Sequence, residues 1–243
     1  GGTYVMAGDP DLETTQAILA VLARRGASAI ELGIPYGDPL ADGATIAAAG
    51  TRALANGTTI ADVLSLVAGF RAAGGPPIIV FTYFNPIYQY GLDAFARDAA
   101  GAGASAVIVP DIALEESDEL RATLVRHGLE MPLMVAPSTS PERAVRIAAA
   151  SGGFVYVVSR LGVTGAAATP DFSPLRDQVV RLRTVTDKPL AVGFGVSTAQ
   201  HVSQVAPLVD GIIVGSALID AYDGAHGQEA ATRVEHLIER LFA

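Results

Sequence analysis

Glu31-Leu-Gly-Ile-Pro-Tyr-Gly-Asp-Pro-Leu-Ala-Asp-Gly43 begins as the end of a short apolar strand and continues as a loop stiffened by Pro35 and Pro39 and turned at Gly37. Residues 29–33 fit a parallel strand covered on both faces. A carboxylate in such a strand, Glu31, loses its hydration and is costly unless it is paired or used. The Pro- and Gly-marked loop reads as a fixed backbone path holding Asp42 so that it faces Glu31. Two acids over one cavity point to proton-transfer chemistry.

The same kind of strand recurs along the chain. Short apolar runs at 3–6, 29–32, 78–81, 106–109, 133–135, 154–158, 190–192 and 211–214 are strand candidates. Amphipathic helical patterns at 12–25, 60–73, 92–102, 116–127, 141–150, 175–186, 198–206 and 229–241 alternate with them. Eight strands, each followed by a helix, predict an α/β fold of the (β/α)₈ TIM-barrel type. No linker interrupts the pattern, so residues 1–243 are expected to form a single domain. A doubly wound open sheet is the rival, but it does not need this count. In a barrel, chemistry sits at the C-terminal ends of strands. Asp9, Glu31, Tyr83, Asp111, Tyr156, Gly165, Gly193, Gly195, Gly215 and Ser216 fall there.

Composition narrows the function. The net charge of −9 without a basic run argues against nucleic acid or an anionic membrane as partner. No apolar run approaches the roughly 20 residues of a membrane span. The chain has no cysteine, which removes disulfides, thiol nucleophiles and thiolate metal sites and is compatible with a reducing cytoplasm. The single lysine, Lys188, stands before Pro189 at the start of the seventh strand, the end away from the chemistry, which disfavours a Schiff base. His127, His201, His226 and His236 have no paired ligand spacing and are read as surface residues, so no metal is expected. Gly193-Phe-Gly195 lacks the later glycine and acidic partner of a dinucleotide site.

Three late glycine-rich turns suggest a phosphate instead. They are Leu161-Gly-Val-Thr-Gly165, Gly193-Phe-Gly-Val-Ser197 and Gly215-Ser216, the last opening a short helix over 216–222. Glycine lets main-chain N–H groups approach an anion, and a helix N-terminus favours negative charge. What remains is metal-free acid–base work on a phosphorylated small molecule.

On these residues the chain resembles the tryptophan synthase α subunit family. The resemblance rests on Ala7-Gly-Asp-Pro10, Glu31 to Pro35, Asp38-Pro-Leu-Ala-Asp-Gly43, Thr82-Tyr-Phe-Asn-Pro86, Tyr90-Gly91, Asp111 with Glu115-Glu116, Ser159 to Gly165, Gly193 to Ser197 and Gly215-Ser-Ala217. It implies a lyase of tryptophan biosynthesis, catalysing reversible retro-aldol cleavage of indole-3-glycerol phosphate to indole and glyceraldehyde 3-phosphate. It assigns acid–base work to Glu31, ring N–H recognition to Asp42 and placement of substrate and Glu31 to Tyr156. Tyr83, Asp111 and Thr164 would lie near the substrate or the partner face, and Gly165, Gly193, Gly195, Gly215 and Ser216 would hold the phosphate. The loop over 159–174 would close as a lid. The chain itself would need no cofactor; pyridoxal phosphate would belong to a β subunit, in an α2β2 complex, in the cytoplasm. Gly37, Ala44, Ala47 and Ile112-Ala113-Leu114 depart from the family pattern on the face that docks this subunit. A free-standing lyase of a specialised pathway and a mainly regulatory subunit therefore stay open. The family's N-terminal helix has no counterpart ahead of the first strand, and its absence is expected to uncover the bottom of the barrel.

Overall fold

The computed structural model describes residues 1–159, 171–193 and 195–242. Its centre is eight parallel strands. They are β1 (Gly2–Met6), β2 (Ala29–Gly33), β3 (Ile78–Phe81), β4 (Ala106–Ile108), β5 (Leu133–Val135), β6 (Val155–Val158), β7 (Leu190–Gly193) and β8 (Gly211–Val214). They are ordered β4-β3-β2-β1-β8-β7-β6-β5. A parallel bridge between Ala106 and Glu130, just ahead of β5, brings the two edges together. The barrel is thus nearly closed, as its sequence pattern predicts.

Around it lie α1 (Leu12–Arg24), α2 (Ala44–Ala55), α3 (Ile60–Ala72), α4 (Phe84–Tyr90), α5 (Leu92–Gly101) and α6 (Asp118–Arg126). The second half adds α7 (Pro141–Ala150), α8 (Ser173–Arg183), α9 (Ala199–Val205), α10 (Ser216–Tyr222) and α11 (Gly227–Leu241). Local chemistry starts several of them. The Asp11 side chain accepts from Thr14 N–H at the head of α1, and Thr59 and Asp62 form a reciprocal capping box on α3. Strand residues such as Ile30, Leu32, Val80, Val107 and Val157 are fully buried, joining barrel and helices into one core.

Two helices go beyond the sequence reading. α2 follows the Asp42 loop and buries Ile46, Ala49, Gly50 and Ala53, a spacing of helical period that its alanine-rich composition conceals. α4 carries Pro86 in its first turn, where a proline is tolerated because the first N–H groups of a helix have no intrahelical acceptor. The remaining elements start and stop close to their predicted limits.

Lys188 lies ahead of β7, as expected, and has a task there. Its ammonium donates to the carbonyls of Ala148, Ala149 and Ser151 at 2.9, 2.9 and 2.6 Å. These are acceptors at the C-terminal end of α7, where a cation is favourable.

Candidate active site

The strand pairing puts Glu31 of β2 in register with Tyr4 of β1 and Ile79 of β3. Glu31 is 2% exposed, and its Oε1 has no hydrogen-bond partner among the described residues. Burial pushes the carboxyl up to about 8, so it carries a proton at neutral pH. An unpartnered acid of this kind is expensive as structure and suited to proton transfer.

Two phenols flank it. Tyr156 of β6 is buried, and its pKa is raised well above the ordinary tyrosine range, first by burial and then by Glu31 and Tyr4. Tyr4 is also buried, and its phenol is pushed up by burial and then by Asp42 and Glu31. Each hydroxyl rests on a glycine. A Cβ on Gly33 would stand 2.2 Å from Tyr4 Oη, and one on Gly193 would stand 1.9 Å from Tyr156 Oη. Gly193, which the sequence offers for anion approach, has a separate reason to be glycine, making room for Tyr156. Tyr4 also packs edge-on against Phe81, with centroids 5.5 Å apart.

Asp42 is placed by its loop. Ala41 N–H donates to Tyr83 Oη at 3.0 Å, and Asp42 N–H donates to the Pro39 carbonyl at 3.1 Å. Tyr83 in turn stacks obliquely on Tyr36, centroids 5.3 Å apart. Partial burial raises the Asp42 carboxyl to about 6, against the opposing effect of a hydrogen bond with Tyr83. Tyr4 is in register with Glu31, and its phenol feels the charge of both acids. Tyr4 is not among the residues expected at the site, because 3–6 reads in the sequence as one more apolar strand and only the register sets Tyr4 beside Glu31.

The other predicted residues divide. Asp111 is exposed, and its Oδ1 accepts from Phe84 N–H at 2.9 Å, so it caps α4. Gly195 has φ +80°, a conformation that favours glycine. Gly215 is the residue before α10, and a Cβ there would meet Tyr4 Cβ at 3.4 Å and Ile46 Cδ1 at 3.8 Å. Ser216 opens α10 and is exposed. The first N–H groups of a helix have no intrahelical acceptor, which leaves those of Ser216 and Ala217 available. Thr164 and Gly165, and most of the expected lid, fall in 160–170, outside the described residues. Among the described residues no group of three or more His, Asp or Glu is placed to hold a metal ion. Among them, too, no single helix is long and apolar enough to cross a membrane.

This barrel, with its acids at one end of the strands, matches known proteins over nearly its full length. The family described as tryptophan synthase alpha chain matches residues 3–241. The chain belongs to the tryptophan synthase alpha chain family. It is 48% identical over 239 residues to the tryptophan synthase alpha chain of Gloeobacter violaceus, covering 98% of this chain and 86% of that protein. The Chloroflexus aggregans alpha chain is 47% identical over 239 residues, covering 98% and 89%. A tryptophan synthase structure from Mycobacterium tuberculosis superposes with a TM-score of 0.89 at 39% identity, covering 99% of this chain and 90% of that one. A tryptophan synthase complex from Pyrococcus furiosus gives 0.90 at 34% identity, covering 99% and 96%.

As a member of the tryptophan synthase alpha chain family, the chain is a carbon–carbon lyase of tryptophan biosynthesis. Its reaction is the cleavage of indole-3-glycerol phosphate to indole and glyceraldehyde 3-phosphate. The reaction needs proton transfer at one end of the substrate and an anion held at the other.

Proposed function

We propose that Glu31 is the acid–base group of this cleavage and Asp42 its electrostatic partner. The observation that carries the assignment is a carboxyl buried in the barrel wall whose Oε1 has no partner among the described residues, beside a phenol that feels both it and Asp42. Protonated Glu31 delivers its proton to indole C3, giving an indolenine-like cation. The resulting carboxylate takes the proton of the side-chain hydroxyl. The bond between C3 and the carbinol carbon breaks, its electron pair returns to the ring, and the carbinol carbon becomes the aldehyde. Glu31 ends the cycle protonated. Asp42 accepts a hydrogen bond from the ring N–H and offsets the positive charge on the cation. Tyr156 places Glu31 and the ring; Tyr83 acts through the Asp42 loop.

The phosphate is assigned to main-chain N–H groups around Gly193, Gly195, Gly215 and Ser216, with Gly165 and Thr164 added on the motif alone. The first N–H groups of α10, which have no intrahelical acceptor, and the positive φ of Gly195 support that end of the site. No cofactor is assigned to this chain. The partner assigned is a tryptophan synthase β subunit carrying pyridoxal phosphate in an α2β2 complex, with both in the cytoplasm. Leu40, 83% exposed on the Asp42 loop, and Tyr88, 63% exposed on α4, supply apolar surface for such docking.

The decisive experiment is Glu31→Gln, with indole release and binding of glycerol 3-phosphate measured side by side. Release should fall by about 1,000-fold or more while binding changes less than about 2-fold. Equal loss of both would overturn the assignment. Indole release with and without β subunit tests the partnership: stimulation is expected, and unaided turnover at the same rate would favour a free-standing lyase.

A further inference from the structure

Asp9 is a fully buried carboxylate at the catalytic end of the barrel that the proposed chemistry does not use. It follows β1, and its two oxygens face an arginine fork. Arg52 Nε donates to Oδ1 at 2.6 Å and Arg52 Nη2 to Oδ2 at 3.0 Å. Tyr222 Oη donates to the same Oδ2 at 2.9 Å. Asp223 approaches the other side of Arg52 at 3.9 Å, and Asn56 Nδ2 donates to the Pro10 carbonyl.

These partners come from two helices that border the site. Arg52 lies in the last turn of α2, whose first residue follows Asp42 and Gly43. Tyr222 is the last residue of α10, whose first residue is Ser216. The beginnings of the same helices also meet, a Cβ on Gly215 falling 3.8 Å from Ile46 Cδ1 of α2 and 3.4 Å from Tyr4 Cβ. Helices α2 and α10 are therefore clamped twice, by apolar contact near the acids and by Asp9 at their far ends. A helix is stiff over such lengths, about 18 Å for twelve residues, so the far clamp fixes where the near ends sit. Only the Asp9 side of this pair is buried, and the directional bonds of the two-pronged guanidinium–carboxylate contact fix geometry.

We infer that Asp9, with Arg52 and Tyr222, is a positioning residue that sets the distance between the ring-binding acid Asp42 and the phosphate end at Gly215 and Ser216. The hub acts as a length gauge for a substrate that must touch both. This inference rests on the assignment of those two ends proposed above.

The test uses Tyr222→Phe, which removes one hydrogen bond and leaves the ion pair, and Arg52→Lys, which keeps the charge and loses the fork. For each, affinities are measured for indole, for glycerol 3-phosphate and for 3-indolylpropyl phosphate, the uncleavable joined ligand, together with kcat and KM for cleavage. The separate pieces should bind within about 2-fold of wild type, while the joined ligand and kcat/KM lose about 10-fold, because only they need both ends in register. A merely structural role would lower Tm and leave the ratio of joined to separate affinities unchanged. That unchanged ratio in Tyr222→Phe overturns the inference, whatever Arg52→Lys does. The underlying site assignment fails separately, if Asp42→Asn leaves indole affinity intact or Gly215→Val leaves glycerol 3-phosphate affinity intact in a chain whose hub is untouched.

Discussion

Glu31 and Asp42 are both carboxyls, and their surroundings separate their protonation. Glu31, buried without a partner, is raised to about 8; Asp42, partly wet and bonded to Tyr83, is raised to about 6. The cleavage as assigned starts from protonated Glu31 and ionised Asp42, so kcat/KM should be bell-shaped in pH, with an acid limb near 6 and a basic limb near 8. Asp42→Asn should lower kcat by about 100-fold and abolish the acid limb; a limb that persists in this variant would place it on another group. Both acids are legible in the sequence, Glu31 because a carboxylate in an apolar strand needs a reason and Asp42 because a Pro- and Gly-marked loop holds it close behind. Tyr4 was not legible as a site residue. An aromatic in a strand looks like core until the register shows which neighbour it faces.

At the level of elements, each buried end of a helix needs a partner, and Lys188 supplies one. Three carbonyls at the end of α7 converge on its ammonium, which joins α7 to the start of β7 on the face opposite the acids. Lys188→Met should therefore cost about 1–2 kcal/mol of stability, read as a lower denaturation midpoint, with indole release per folded molecule unchanged. A matching loss of kcat would contradict this purely structural role. The helices reveal the same division of legibility. Long amphipathic ones such as α1 and α3 announce themselves by period and caps. α4 takes its cap from Asp111, twenty-seven positions from Phe84, and no local pattern contains that bond.

For the whole molecule, the protonation of Glu31 is also a matter of stability. Its pKa rises from 4.5 unfolded to about 8 folded, so the folded chain retains a proton that the unfolded chain has released. This group's contribution is therefore neutral below 4.5 and destabilises progressively as pH climbs to about 8, by up to roughly 5 kcal/mol. Glu31→Gln, which cannot ionise, should melt above wild type at pH 8 and close to it at pH 4.5; melts of both proteins at the two values decide, and an equal offset at both would refute the burial argument. By itself the sequence determined the eight-fold alternation of strand and helix, the acid in the second strand and the family, because period, composition and motif are properties of neighbouring residues. Only the tertiary structure decided that Tyr4 stands in register with Glu31, that Gly193 yields space to Tyr156, and that Asp9 ties α2 to α10. Those contacts join residues tens to hundreds of positions apart, and closing the barrel is what brings them within bonding distance.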